Sequence, residues 1–326
     1  MILTLSIAIF LGIVASVDKV KAQDPQTEYE KKLKEHEKEI ARIEAENKAK
    51  AAELERQKQI TAAKKAYQEG NTLLKKGMAE EALKSYELAI QYDNNFHLAY
   101  HGKGLANTRL RNYNAALESY HKAVQINPLY ADGYLALAKL YRQLEQYDQA
   151  LTSCLKAIEA DTISANGSPS DPKDLAKAYY ELGFVYNKRK EYQKAADAFQ
   201  KVGELDPTHH LSFNAQGVAL EKVGKTDEAI VSFKKAIEIK PNFDDPYYRL
   251  ASLYNKLGKS QDALDAALNG MKYKKNFASA AFEAGIAYKN LGQFNDAIKY
   301  FEIASKDRLW TKAAQYEIDM IKRKTK

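Results

Sequence analysis

The chain has 326 residues, a formal charge of +7 and a single cysteine, Cys154. One cysteine excludes an intramolecular disulfide, and the lysines are spread among glutamates instead of clustered, which argues against a nucleic-acid partner. A chain of this length suggests about two globular domains, but a fixed period through most of it overrides that expectation.

Residues 1–17 carry no charged side chain, and Asp18 is the first. As a helix they would span about 26 Å, short of a hydrocarbon core near 30 Å. Val20 and Ala22 stand at −3 and −1 of a cut before Gln23, and a second cut site follows Ala15. Residues 1–22 therefore read as an export signal, with an uncleaved N-terminal anchor or a helix capping the array as the alternatives. No Lys or Arg precedes the run, which weighs against a signal. No cysteine follows it, so a lipoprotein anchor is excluded. The expected location is periplasmic or secreted, or the membrane if residues 1–17 are retained.

Residues 23–62 are almost all helix formers and charge. Glu28/Lys32, Glu30/Lys34, Glu44/Lys48 and Glu46/Lys50 are acid-first pairs four apart, the spacing that supports a helix. Leu33, Ile40, Asn47 and Leu54 are seven apart, and Tyr29, His36, Ile43, Lys50 and Gln57 form a second row beside them. Two readings stay open: a solvated helix that extends the array, or a coiled coil joining copies of the chain through residues 27–62. Asn47 and Lys50 weaken the second.

From residue 63 to 311 the sequence repeats. Seven copies begin at Ala63, His97, Ala131, Ala176, His210, Asp244 and Ala278, and the usual step is 34. Counting from each start, slot 8 is Gly70, Gly104, Ala138, Gly183, Gly217, Ala251 and Gly285. Slot 20 is always alanine: Ala82, Ala116, Ala150, Ala195, Ala229, Ala263 and Ala297. Slot 24 is mostly aromatic: Tyr86, Tyr120, Cys154, Phe199, Phe233, Ala267 and Phe301. Cys154 in this packing slot reads as an inert buried thiol. Within each copy, two stretches of helical period are parted by a turn. The small residues at slots 8 and 20 are expected to face each other where two antiparallel helices cross. Pro128, Pro207 and Pro241 at slot 32 end the second helix. One hairpin cannot cover its own apolar face, whereas stacked neighbours can, so the fold class is an all-α solenoid.

The step from the third copy to the fourth is 45, eleven more than the period, and residues 165–175 hold the Gly, Ser and Pro of a loop. At its end Asp171 and Pro172 read as a cap and first-turn proline of the next helix. After the last copy, Trp310, Ala314, Ile318 and Ile321 follow helical spacing, the apolar face of a capping helix over residues 312–326 whose basic tail, residues 322–326, is expected to fray.

The slot pattern resembles the tetratricopeptide repeat family. That resemblance implies a right-handed superhelix whose first helices line a concave groove, and binding of proteins or extended peptides, with no cofactor and no catalysis. It also implies that slots 2, 5, 9, 12 and 13 face the groove. Slot 5 holds Tyr67, His101, Leu135, Tyr180, Asn214, Tyr248 and Phe282; slot 9 holds Asn71, Leu105, Lys139, Phe184, Val218, Ser252 and Ile286. Asn255 stands at slot 12 of the sixth copy, and every copy has a cation at slot 12 or 13: Lys75, Arg109, Arg142, Lys188, Lys222, Lys256 and Lys289. These cations read either as a basic rail for a partly acidic peptide or as ordinary partners of a helix C-terminus. Members that clamp a C-terminal carboxylate carry Lys at slot 5, and no copy here does.

The chain shows no phosphate loop, nucleophile elbow or His-Glu-x-x-His. His97 and His101 are four apart on one helix but lack a third ligand, so no metal site is expected. His209 and His210 read as a junction pair.

Overall fold

The computed structural model describes residues 25–163, 171–274 and 276–325. The expected leader and residues 165–170 of the expected loop lie outside them. Every regular element among the described residues is a helix. The first hairpin pairs α1 (Pro25–Lys75) with α2 (Ala79–Tyr92), the second α3 (His97–Arg109) with α4 (Tyr113–Ile126), and the third α5 (Ala131–Gln143) with α6 (Tyr147–Ile163). Then follow α7 (Pro172–Lys188) with α8 (Tyr192–Leu205), α9 (His210–Lys222) with α10 (Thr226–Ile239), α11 (Asp244–Lys256) with α12 (Ser260–Tyr273), and α13 (Ala278–Asn290) with α14 (Phe294–Ser305). The capping helix α15 (Thr311–Lys324) ends the order. Each helix packs on its hairpin partner, and each second helix also packs on the first helix of the next hairpin. This is a tetratricopeptide-type α-solenoid.

The small and large slots interlock in a way the period alone leaves undefined. A Cβ added at Gly104 would stand 2.4 Å from the Tyr120 ring, and one at Gly183 2.5 Å from Phe199. Gly70, Gly217 and Gly285 meet Tyr86, Phe233 and Phe301 in the same way. Slot 8 is therefore glycine to admit the slot 24 ring, which corrects the expectation that it mainly faces slot 20. The two exceptions obey the same rule. Where slot 24 is small (Cys154, Ala267), slot 8 carries a methyl (Ala138, Ala251). Tyr86, Tyr120, Phe199, Phe233 and Phe301 are fully buried or nearly so, and burial of such a side chain stabilises by roughly 1.5–3 kcal/mol.

Slot 15, in the turn between the two helices, has positive φ in all seven copies. Gly77, Gly224, Gly258 and Gly292 take it without strain, whereas Arg111, Glu145 and Lys190 hold φ of 63°, 61° and 63°. The second helices α4, α8 and α10 stop two residues before Pro128, Pro207 and Pro241.

The charged segment and the first repeat's first helix form one continuous helix of 51 residues, α1, about 76 Å long at 1.5 Å per residue. From Glu28 to Gln59 it is exposed apart from half-buried His36 and Ile43, and it joins the array at Ala63 and Ala66, both buried. No helix among the described residues is long and apolar enough to cross a membrane.

The extra residues after the third repeat are partly helical. Residues 172–175, the end of the stretch expected as loop, form the first turn of α7 as the Asp171–Pro172 cap predicts: Asp171 accepts a hydrogen bond from the Lys173 N–H at 2.9 Å and Pro172 has the helical φ built in. The basic tail is likewise helical through Lys324, whose ammonium lies 5.5 Å from the Phe294 ring centre. In the cap, Ala314, Ile318 and Ile321 are buried against Ala281, Ala297 and Phe301.

Candidate partner-binding groove

The first helices α3, α5, α7, α9, α11 and α13 carry slots 5 and 9 four residues apart on one face, where their rings lie over the slot 24 ring of the same hairpin: Tyr180 and Phe184 are 5.7 and 5.4 Å from Phe199, and Phe282 is 5.3 Å from Phe301. Two kinds of surface result. In the fourth repeat the slots are filled by rings: Tyr180 and Phe184 meet edge to face at 4.8 Å, and Tyr180 meets His209 at 4.7 Å. At the far end Phe282 lies 4.8 Å from Trp310 and Tyr248 6.4 Å from it. Burial raises the Tyr180 and Tyr248 hydroxyl pKa values, so both remain neutral hydrogen-bonding groups at physiological pH.

In the first repeat, Tyr67 packs on Phe96 and Tyr86, and Asn71 accepts from the Tyr86 hydroxyl at 2.8 Å. Asn71 thereby serves its own hairpin. His101 is held by the Tyr130 hydroxyl, 3.0 Å from Nδ1, and burial pushes its pKa down to about 4, so the imidazole is neutral near pH 7. His97 packs on the same Tyr130 ring at 4.9 Å. Among the described residues no group of three or more His, Cys, Asp or Glu could hold a metal ion.

The slot 12 and 13 cations divide. Arg142 pairs with Glu181, whose side chain is buried, and also lies 5.7 Å from the Phe184 ring centre. Lys256 pairs with Glu221 at 2.9 Å, Lys289 with Glu317 at 2.6 Å, and Arg109 donates to the Leu74 carbonyl. Lys75, Lys188 and Lys222 make no salt bridge or side-chain hydrogen bond among the described residues. More than half of the expected rail is thus engaged within the array itself.

Three of these polar contacts share one geometry, slot 12 of one repeat against slot 6 of the next. Arg142 meets Glu181, Glu221 meets Arg249 at 3.9 Å, and Asn255 donates to Glu283 at 2.8 Å. The first of them bridges the third and fourth repeats, so the inserted residues leave the stacking register of α5 on α7 intact. Burial pushes the Glu283 carboxyl up, while hydrogen bonds from Asn255 and Ser252 oppose that shift. Asn214 donates to Asp245 at 2.9 Å, and Asp245 also accepts from Arg249 at 2.8 Å. The Oδ1 atoms of Asn214 and Asn255 are buried without a partner.

Two features escaped the sequence reading. Slot 6 was passed over, although Glu181, Arg249 and Glu283 stand where three of the other four copies have Gly102, Ala136 and Ala215 (the first has Gln68); a charged residue at a mostly small slot was the available signal. Trp310 packs with the cap's apolar cluster as its spacing predicts, but its second contact, with the groove ring Phe282 from just ahead of α15, carried no signal.

Cavities lie on both sides of α5. On the groove side, one of about 360 Å³ opens between α3 and α5 over Leu105, Leu135 and Leu140. On the opposite side, one of about 580 Å³ runs between α4 and α6, with Tyr134, Leu137 and Tyr141 of α5 as its floor.

Tetratricopeptide-repeat models match residues 66–96, 98–128, 131–162 and 278–304, a second such model matches residues 176–209, and a TPR repeat model matches residues 217–258. Together they take in more than half of the chain. Among solved structures, the chain is similar to PilF of Pseudomonas aeruginosa (17% identity, 68% of this chain and 96% of that one, TM-score 0.57). It is also similar to a tetratricopeptide repeat protein from Parabacteroides merdae (18%, 80% and 99%, 0.52) and to YrrB, a TPR protein with an unusual peptide-binding site (24%, 62% and 100%, 0.51). At these identities the likeness concerns the fold. No curated protein sequence matches the chain.

Proposed function

Because the chain belongs to the tetratricopeptide-repeat family, we propose that it is a non-enzymatic scaffold holding a protein or extended peptide in the groove lined by its first helices. The observation that carries this reading is the set of rings at groove slots, Tyr180, Phe184, Tyr248 and Phe282, which stay only half-buried although Tyr180, Phe184 and Phe282 pack on the slot 24 rings beneath them. Rings in such positions offer contact area at low entropic cost, and a rigid array gives up little freedom when a partner docks. YrrB, with its peptide-binding site, offers a precedent on the same fold. The lysines left unpaired, Lys75, Lys188 and Lys222, favour a partner with some acidic character. The setting we assign is the cell envelope, on the strength of the apolar leader at residues 1–22. Recovery of a mature N-terminus at Gln23 from an extracytoplasmic fraction would support it, and an intact Met1 in the membrane fraction would replace secretion with anchoring.

The test of the groove is a pull-down from envelope extract with residues 23–326 beside the triple variant Tyr180→Ala, Phe184→Ala, Tyr248→Ala. A partner kept by the parent chain and lost by the folded variant supports the reading. A partner indifferent to the three changes removes it.

A second reading rests on α1. Tyr29, Leu33, Ile40 and Leu54 are 51%, 44%, 44% and 61% exposed, an apolar row that a coiled coil between copies would cover, making the protein an oligomeric coordinator. Light scattering decides it: a monomeric mass ends that reading.

A further inference from the structure

The cavity between α3 and α5 has a composition that selects its occupant. Its floor is Leu105, Leu135, Ala136 and Leu140, which offer no hydrogen-bonding side chain. Several polar atoms in its walls are already engaged. The Tyr120 hydroxyl is 3.1 Å from Thr108 Oγ1, His101 Nδ1 is bonded to Tyr130, and the Gln143 amide donates to the Tyr113 hydroxyl at 2.9 Å. A polar group seated on this floor would lose its water without finding a partner among the leucines, at a cost of roughly 1–3 kcal/mol. An apolar group loses nothing comparable.

The rim is different. Asp132 and Lys139 both line the cavity, both are exposed, and neither makes a salt bridge or side-chain hydrogen bond among the described residues. They are seven residues apart on α5, so they share one face and stand about 10.5 Å apart along its axis. An extended chain advances about 3.3 Å per residue, so it covers that distance in about three positions. In the fourth repeat the corresponding slots carry Tyr180 and Phe184, whose rings occupy the space left open here.

We propose that this cavity is a specificity pocket of the groove: it takes one bulky apolar side chain of an extended segment, flanked by a basic residue over Asp132 and an acidic residue over Lys139, about three positions apart. The assignment rests on the groove reading above and names part of the partner's sequence. Lysine or arginine pairs with the first rim group and aspartate or glutamate with the second, while the anchor supplies the apolar contact.

The experiment uses fluorescein-labelled peptides with a lysine–phenylalanine–serine–aspartate core, the same core in reverse order, and versions with serine in place of phenylalanine. Anisotropy is read with the parent chain, with Ala136→Trp, which fills the cavity, and with the surface double variant Asp132→Lys, Lys139→Asp. One core order binds the parent chain, loses at least tenfold when phenylalanine becomes serine, and loses as much on Ala136→Trp. The charge-swapped protein exchanges the preference between the two orders. Because both swapped residues are exposed, that arm stands even if Ala136→Trp fails to fold. Binding that ignores the phenylalanine or an unchanged preference after the swap overturns the proposal, as does absence of binding by every probe up to 1 mM. Failure here alongside a partner released by the Tyr180, Phe184 and Tyr248 changes would leave the groove standing and remove only the pocket. A partner released by neither set removes the groove itself.

Discussion

The second and third repeats and the fourth repeat build the same groove with different surfaces. In all of them a slot 20 alanine and the paired slots 8 and 24 set how closely the two helices approach (glycine against a ring, alanine against Cys154). At slots 5 and 9, however, His101, Leu105, Leu135 and Lys139 leave a cavity between α3 and α5, while Tyr180 and Phe184 fill the matching space on α7 with rings. The frame and the binding surface are thus carried by separate residues of the same helices. A repeat can change what it recognises without changing how it stacks.

The strongest way to break this comparison is to attack the frame under both surfaces. Gly183→Val and Gly104→Val each drive a branched side chain into a buried ring, from starting distances of 2.5 and 2.4 Å. Each is expected to cost about 3 kcal/mol or more in chemical denaturation. Similar losses under the open and the filled surface would support a common frame. A loss in only one repeat would separate the two frames. Reducing the ring, as in Gly183→Val with Phe199→Ala, should recover part of the loss.

Next comes the contact that joins the two regions. Glu181→Ala leaves the Arg142 guanidinium facing a buried site with no carboxylate, and the expected cost is about 2–4 kcal/mol, since Arg142 is partly exposed. Weakening one interface of a linear array should also broaden the unfolding transition or split it in two. A transition that stays sharp would mean that the third and fourth repeats are held together by apolar contacts alone.

A smaller effect sharpens the comparison from the cavity side. The His101 pKa is about 4 in the folded chain against an ordinary 6.5, so as pH falls the unfolded chain takes up this proton first. The stability contribution is therefore complete above pH 6.5 and is lost between pH 6.5 and about 4, on the order of 3 kcal/mol. His97, His121 and His210 are also shifted down by burial and lose stability in the same direction. The readout is thus the difference between parent and His101→Gln, whose melting temperature should depend less on pH across that window. The smallest expected change is at slot 15. Lys190 holds φ of 63° where other copies have glycine, so Lys190→Gly should stabilise by up to about 1 kcal/mol, with no effect on either groove surface.

Much of this was legible in the sequence because the frame depends on residue volume at fixed spacing. The starts of α3, α5, α9, α11 and α13 fall on the first residues of their copies, since a period with small and large slots leaves few alternatives. The groove was legible only as a list of slots. Arg142, Lys256 and Lys289 were visible as cations, but their partners Glu181, Glu221 and Glu317 are brought to them by stacking, 28 to 39 residues away in sequence. The cavity was invisible for a related reason: an empty space is a property of neighbouring helices and leaves no residue to read. Trp310 joins the cap cluster as its spacing with Ala314 predicts, although α15 begins one residue later, and only its contact with Phe282, set by stacking, was illegible. Along α1, charge pairs predicted a helix correctly, and periodicity alone left open what covers its apolar row.

The central claim, that partners are held on the first-helix side, is tested most directly by site-specific photo-cross-linking. A benzoylphenylalanine is placed at Phe184, in the groove, and in a second protein at Tyr141, which lines the cavity on the opposite side of α5. Cross-linking of the partner from position 184 and none from position 141 is the expected result. Cross-linking from position 141 alone would contradict it and move recognition to the outer face.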